Sequence, residues 1–299
     1  MNWKLKARLQ RVFSAIPGGE RCNYLLQRYV SHSLPRDDHG FVFRAKLAQD
    51  ILGLVREKAS GPVPGMAFFE FGAGSDLIGP VIFWAMGVER QILVDRSALL
   101  RPALVRGTLE KAARLGPKLG FVRLPLRGAL FEELGIDYRA PVDARVTGLA
   151  AGSVDVVTSN STLEHVPHDE LPLLLTECRR ILRPGGLLCM RVDYEDHYAA
   201  FDPRLSPYNF LYYADAEWER YSPSLHYQNR LRHRDYLELF AQLGLEVLDE
   251  RRLEAGPQTL AQLDTGRLDA RFRRYDLADL TIRKCIFLLR STIPGTPHL

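Results

Sequence analysis

An open α/β sheet of mainly parallel strands is the fold this sequence predicts, and three observations predict it. The apolar run Met66–Phe69 has the character of a buried strand; it leads into a turn, Gly72-Ala73-Gly74-Ser75, and then into a longer apolar run, Leu77–Val88, of helical length. A second apolar run, Gln91–Val94, ends at a carboxylate, Asp95. Two more strand-like runs follow, Val154–Ser159 and Leu187–Val192, the latter after a helical stretch Leu171–Leu182 and the turn Pro184-Gly185-Gly186. Strands alternating with helices make βαβ units and hence a parallel sheet.

The first strand, its glycine turn and the following helix form a ligand cradle. Gly72 and Gly74 let the backbone approach a ligand, Ala73 and Ser75 share the turn, and the unpaired N–H groups of a first helical turn point at the ligand. Asp76 is expected at the helix start, as cap or first-turn acid. Asp95 at the tip of the second strand can accept both hydrogen bonds of a ribose diol, with Arg96 beside it. A dinucleotide fingerprint needs a third glycine at position 77, where Leu77 stands. Glu70, two residues before the first glycine, instead suits a ligand carrying positive charge.

Before this strand, Lys4, Lys6, Arg8 and Arg11 are uninterrupted by acids, while Leu5, Leu9, Val12, Phe13 and Ile16 recur at helical spacing. The expected arrangement is a helix packing this apolar face on the domain; a membrane-surface contact through residues 1–16 is the alternative. Residues 17–40 read as loop-rich, and Phe41–Lys58 as a helix stopped by Gly61-Pro62-Val63-Pro64-Gly65. After the second strand, Arg101–Leu115 is helical. Leu119–Leu134 shows no period, and a third strand is placed near Ala140–Val146 with Asp143-Ala144 at its end.

Composition sets the outer bounds. The 299 residues, 46% hydrophobic and 25% charged, allow an ample core. A net charge of +4 gives no argument for nucleic acid. No apolar run reaches the roughly 20 residues of a membrane span, and the N-terminus lacks the pattern of a secretory signal. Cys22, Cys178, Cys189 and Cys285 form no C-x-x-C pair and read as buried thiols. A cytoplasmic protein is expected.

Three segments together resemble one family. Glu70-x-Gly72-x-Gly74, the string Ser161-Thr162-Leu163-Glu164-His165-Val166 after the fourth strand, and ILRPGGLL before the fifth stand in order over residues 66–192. They are similar to class I S-adenosylmethionine-dependent methyltransferases, of the type-11 and ubiquinone-methyltransferase kind. The resemblance implies a Rossmann-like sheet of seven strands, the last antiparallel, with an N-terminal helical extension and an insertion after the fifth strand. It implies S-adenosylmethionine as cofactor, held by Glu70, Gly72, Ala73, Gly74, Ser75, Asp95, Arg96, Asp143, Ala144, Asn160 and Ser161, with Asp143-Ala144 meeting the adenine. The chain then divides into a helical extension (1–60), a cofactor-binding core (61–193), an acceptor-covering insertion (194–236) and closing elements (237–299).

Of the 43 residues from Tyr194 to Tyr236, 11 are aromatic, against 10% of the whole chain. These rings suit a sugar, phenol or quinone acceptor, or else a subdomain core around Phe210, Tyr212, Trp218 and Tyr221. The expected reaction is O-methylation of a small molecule or glycan hydroxyl; a membrane-associated quinone or phenol, or a non-catalytic binding role, are the other readings. A loose similarity of residues 197–232 to uncharacterised methyltransferases of glycan biosynthesis tilts the acceptor toward a sugar. His197, His165 and Asp193 are the candidate catalytic groups, with His197 preferred because an imidazole titrates near working pH. No metal ligand set is assigned, the acid-rich run Asp193–His197 being the alternative. Pro294–Leu299 reads as a tail.

Overall fold

The structure, a computed structural model, describes residues 2–30, 33–125 and 131–292. In chain order its elements are helices α1 (Trp3–Ala15), α2 (Gly19–Tyr29) and α3 (Asp38–Lys58), then β1 (Ala67–Phe71), α4 (Ile78–Ala85), β2 (Arg90–Val94) and α5 (Pro102–Leu115). Next come β3 (Ile136–Arg139), β4 (Val154–Asn160), α6 (Leu171–Ile181) and β5 (Leu182–Asp193). A run of short helical turns, including α7 (Asp215–Trp218), leads to α8 (His233–Gln242), β6 (Leu245–Glu254), α9 (Pro257–Leu260), α10 (Leu277–Thr281) and β7 (Ile282–Ser291).

The seven strands form one sheet in the order β3-β2-β1-β4-β5-β7-β6. β1 to β5 run parallel, and β7 inserts antiparallel between β5 and β6. Strand order reverses at the β1/β4 boundary, which is where an open α/β sheet leaves a crevice at its carboxyl edge. Alternation along the strands supplies two cores. Phe68, Leu93, Val156, Leu187 and Cys189 face the helices α3, α4 and α5, whereas Phe69, Ile92, Val157, Leu188 and Met190 face α6 and α8. This is the seven-stranded Rossmann-like sheet expected, antiparallel last strand included.

Four local expectations need correction. The third strand lies at Ile136–Arg139, earlier than Ala140–Val146, and pairs with Gln91–Val94. Pro141 has no N–H for the ladder, so Asp143-Ala144 falls in the loop beyond the strand, tied to the tip of β2 where the Val142 N–H donates to the Asp95 carbonyl at 2.9 Å. Part of the illegible stretch Leu119–Leu134, and the tail from Pro294, lie outside the described residues. Residues 17–40 contain a helix, α2: Gly18 at φ 77° makes only a corner, and the helix restarts at once. Asp76 does not cap α4; Leu77 holds that position at φ 49°, and the Asp76 carboxylate pairs with Arg36 at 3.1 Å.

The fourth correction concerns α1, which is turned over relative to expectation. Its buried residues are Trp3, Lys6, Ala7 and Gln10, while Leu5, Val12 and Ile16 are exposed. The indole of Trp3 decides the orientation. It sits among Tyr198, Tyr213, Trp218 and Tyr221, with ring centroids 4.8 to 6.1 Å away. Burying an aromatic side chain removes roughly 150–250 Å² from water, worth about 4–6 kcal/mol at 25 cal/mol/Å². A neighbouring core of Tyr208, Phe210, Leu211, Leu268 and Phe272 completes this third cluster, so most rings of the 194–236 segment are structural. Removing the indole should release α1 alone. In Trp3→Ala, costing about 3–5 kcal/mol, hydrogen exchange of the α1 amides should accelerate by about 10²–10³-fold while β1 and β4 stay protected; uniform acceleration would mean that α1 is integral to the whole fold.

Candidate active site

The crevice at the β1/β4 boundary is a single elongated cavity of about 1170 Å³, larger than the roughly 300–1,000 Å³ typical of one ligand. One end is walled by the glycine turn and the tips of β2 and β4. The other is roofed by α1 and lined by His165, His197 and His226.

At the first end the backbone leaves little choice of residue. Gly72 has φ 75°, and a Cβ there would lie 2.3 Å from the Thr162 hydroxyl oxygen. Gly74, at φ 78°, directs its N–H to the Asp95 carboxylate at 3.2 Å. Asp95 also accepts from the Tyr138 hydroxyl at 3.1 Å. Burial pushes Asp95 up to about 7, against the opposing hydrogen bonds from Tyr138 and Gly74. Ala73 and Ser75 line the same wall. Glu70 does not reach it. Its carboxylate lies one residue beneath the floor, 3.4 Å from the Thr158 hydroxyl, and burial followed by the nearby Asp95 raises it to about 7.

The remaining cofactor candidates frame the middle. Arg96 is largely exposed at the rim and pairs with Glu170 at 3.6 Å. Asp143 reaches the cavity with its carboxylate already gripped by Arg145, at 2.6 and 3.0 Å, so only a remaining lone pair is free; Ala144 lies beside it. Asn160 and Ser161, at the tip of β4, both meet the Arg191 guanidinium.

All three catalytic candidates lie at the roofed end. The His165 and His197 rings are 4.9 Å apart, and His226 is 6.2 Å from His197. Asp193 pairs with Lys284 at 2.9 Å; burial raises its pKa, but Lys284 and His197 together outweigh that and hold it low. The expectation that His197 titrates near working pH does not survive. Burial, reinforced by His165, pushes it down to about 3, so it stands neutral with a lone pair of low basicity. The acid-rich run also disperses: Glu195 turns to Arg283 and Lys284, while Asp196 caps Tyr198 and accepts from Asn209.

Sequence reasoning missed two groups that line the cavity. Lys6, from the roof, extends over the Phe201 ring, and burial pushes it down to about 7. Arg44, on α3, is desolvated to about 10 with Arg36 and Asp76 nearby. Each stands on an inward-facing stripe of its helix: Trp3-Lys6-Ala7-Gln10 in α1, and Phe41-Arg44-Ala45-Ala48 in α3.

These residues fit S-adenosylmethionine. Its ribose diol would find lone pairs on Asp95, its own carboxylate would have Arg44, and at Gly74, where a Cβ would enter open space, the turn leaves room for the ligand.

Comparison with known proteins finds partial matches. Residues 126–190 match the family described as a methyltransferase domain. A stretch of 84 residues is 38% identical to a ubiquinone biosynthesis O-methyltransferase of Nitrosococcus oceani, covering 26% of this chain; the match spans only 35% of that relative's length. Among solved structures, a geranyl diphosphate methyltransferase in complex with S-adenosylmethionine superposes with a TM-score of 0.49 at 17% identity, over 86% of this chain and 92% of that one. The YcgJ protein of Bacillus subtilis gives 0.44 at 15% identity, over 82% of this chain and all (100%) of its own.

Glu70 offers a test that needs no ligand. Its folded pKa lies near 7 and its ordinary value is 4.5, so between these the unfolded chain ionises first and folding stability falls as pH rises. The penalty, roughly 3 kcal/mol above pH 7, should vanish in Glu70→Gln. That variant should melt several degrees higher than wild type at pH 8 and lose its advantage below about pH 4.5; equal melting at both pH values would place the carboxylate in contact with water.

Proposed function

We propose that this chain is a class I S-adenosylmethionine-dependent methyltransferase and that it transfers a methyl group to a hydroxyl oxygen of a small molecule or glycan. The observation that carries this reading is the polarity of the roofed end. Three imidazoles and the Asp193–Lys284 pair converge there, beyond the glycine turn in the same cavity. The name of the Nitrosococcus oceani relative, an O-methyltransferase, favours oxygen over carbon as the acceptor.

When bound, the cofactor supplies a methyl group on a sulfonium, an already activated leaving arrangement. The protein's task is then orientation, worth roughly 7–11 kcal/mol of barrier. Asp95 and the glycine turn would hold the adenosyl end and Arg44 the carboxylate end, leaving the roofed end for the acceptor. The neutral imidazoles of His165 and His197 accept or donate hydrogen bonds to the hydroxyl and turn its lone pair toward the reacting carbon. Asp193, held ionised by Lys284, is the charged acceptor available for the departing proton.

A second reading, a lipid-soluble phenol or quinone as acceptor, is favoured by one specific observation. The helix whose inner face roofs the cavity presents Leu5, Val12 and Ile16 outward beside Lys4, Arg8 and Arg11, and Leu25, Tyr29 and Val30 are exposed on and just after α2. No helix among the described residues is long and apolar enough to cross a membrane, so the contact would be interfacial. Flotation with anionic vesicles separates the readings. Binding that is lost in the Leu5→Ser, Val12→Ser, Ile16→Ser triple variant points to a lipid-borne acceptor; no binding by the wild type points to a water-soluble one.

Cofactor binding is tested at Asp95. Two hydroxyl donors to one carboxylate are worth about 1.5–3 kcal/mol each, so Asp95→Ala should weaken S-adenosylhomocysteine at least tenfold in calorimetry. Unchanged affinity would remove the ribose from the tip of β2.

A further inference from the structure

We propose that Lys6, Gln10 and His226 form a recognition site for a hydroxy acid at the roofed end of the cavity, Lys6 taking the acceptor's carboxylate and Gln10 a neighbouring hydroxyl. All three line that cavity. Lys6 and Gln10 stand at i and i+4 on the inner face of α1, so their side chains are neighbours. His226 comes from the turn Ser224–His226, which is held to α1 where the Leu225 N–H donates to the Ser14 hydroxyl at 3.3 Å.

Polar atoms without partners among the described residues turn this cluster into a site. Gln10 is only 2% exposed, and its Oε1 is buried with no donor to accept from. The His226 Nε2 is likewise buried and unpartnered. Such atoms are costly unless a ligand satisfies them. The Lys6 side chain, 3% exposed, lies against the Phe201 and Tyr198 rings. The carboxylate whose charge reaches it, Asp196, is already spent on the Tyr198 N–H at 2.8 Å and the Asn209 amide at 2.7 Å. Other cations of this end are engaged, Lys284 by Asp193 and Glu195, and Arg191 by Asn160 and Ser161. Burial, only partly opposed by Asp196, pushes the Lys6 ammonium down to about 7.

Each group specifies what it lacks. An ammonium withdrawn from water needs an anion, an amide oxygen needs an O–H or N–H, and a neutral imidazole nitrogen serves either way. Burial and then Lys6 hold His226 well below its ordinary value, so its ring is neutral. A carboxylate beside a hydroxyl meets all three needs in one small ligand. A neutral phenol, quinol or plain sugar would fill the space and leave the ammonium unpaired. The inference rests on the methyl-transfer reading above and narrows its acceptor to a hydroxylated acid, aromatic or sugar-derived.

The test titrates the full-length protein calorimetrically, in excess S-adenosylhomocysteine, with two pairs of probes: salicylate against salicyl alcohol, and glucuronate against glucose. In at least one pair the acid should bind at least about tenfold more tightly than its neutral counterpart; the first pair marks an aromatic acid, the second a sugar acid. Lys6→Met should cut that preference to less than about twofold, and Gln10→Leu should weaken the acid at least about threefold. S-adenosylhomocysteine affinity within about threefold of wild type is the control for folding, and Lys6→Gln makes the same comparison should Lys6→Met not fold. No preference for the acid in either pair, or an undiminished preference once Lys6 is replaced, overturns the site. Cofactor heat without a preference for the acid defeats this site alone, whereas the preference without cofactor heat supports the site and defeats its role in methyl transfer.

Discussion

The confinement of two carboxylates beneath one glycine turn is the constraint on which the rest of this structure depends. Glu70 on β1 and Asp95 at the tip of the adjacent parallel strand β2 are both withdrawn from water, and Asp95 raises the cost of ionising Glu70. Such an arrangement is expensive in the free protein and is tolerated only where something gains from it. The turn above them is correspondingly rigid: Gly72 is locked against Thr162, and Gly74 is fixed by its bond to Asp95. Burial is achieved by the hydrophobic runs on either side of the sheet, so core packing and ligand chemistry meet at a single strand end.

That strand end was the most legible part of the sequence, for physical reasons. A fully buried parallel strand has to be apolar throughout, and a glycine turn stands out against it. The same holds for β4 and β5, and with them the sheet order followed. What escaped were features set by contacts remote in sequence. The third strand is an edge strand of four residues, too short to show a period, and its end is marked only by Pro141. The orientation of α1 could not be read from its own leucines and valine, because the decisive partner of Trp3 is an aromatic nest some two hundred residues later.

The site divides along the same line. Residues held by local backbone geometry, Gly72, Gly74 and Asp95, were identifiable from spacing. Arg44 and Lys6 enter from helices that have no sequence link to the strand tips. The protonation behaviour of His197 was out of reach, since it depends on how the fold buries the ring and sets His165 beside it. A sequence reading names the groups; enclosure decides what they can do.

One consequence follows from the way the roof is hung. The helix that encloses the acceptor end is fastened at its start by the Trp3 indole, further along by bonds of Arg11 and Ser14 to the segment after β5, and carries Lys6 and Gln10 on the same inner side as Trp3. Opening the cavity from that side therefore means withdrawing a tryptophan from an aromatic nest, with the inward polar groups following as one unit. The stability of ring packing then contributes to the cost of opening the cavity, a quantity remote from the bond being made. Evolution could retune the dwell time of product in such a protein by exchanging one ring for another, leaving every group that touches the chemistry as it is.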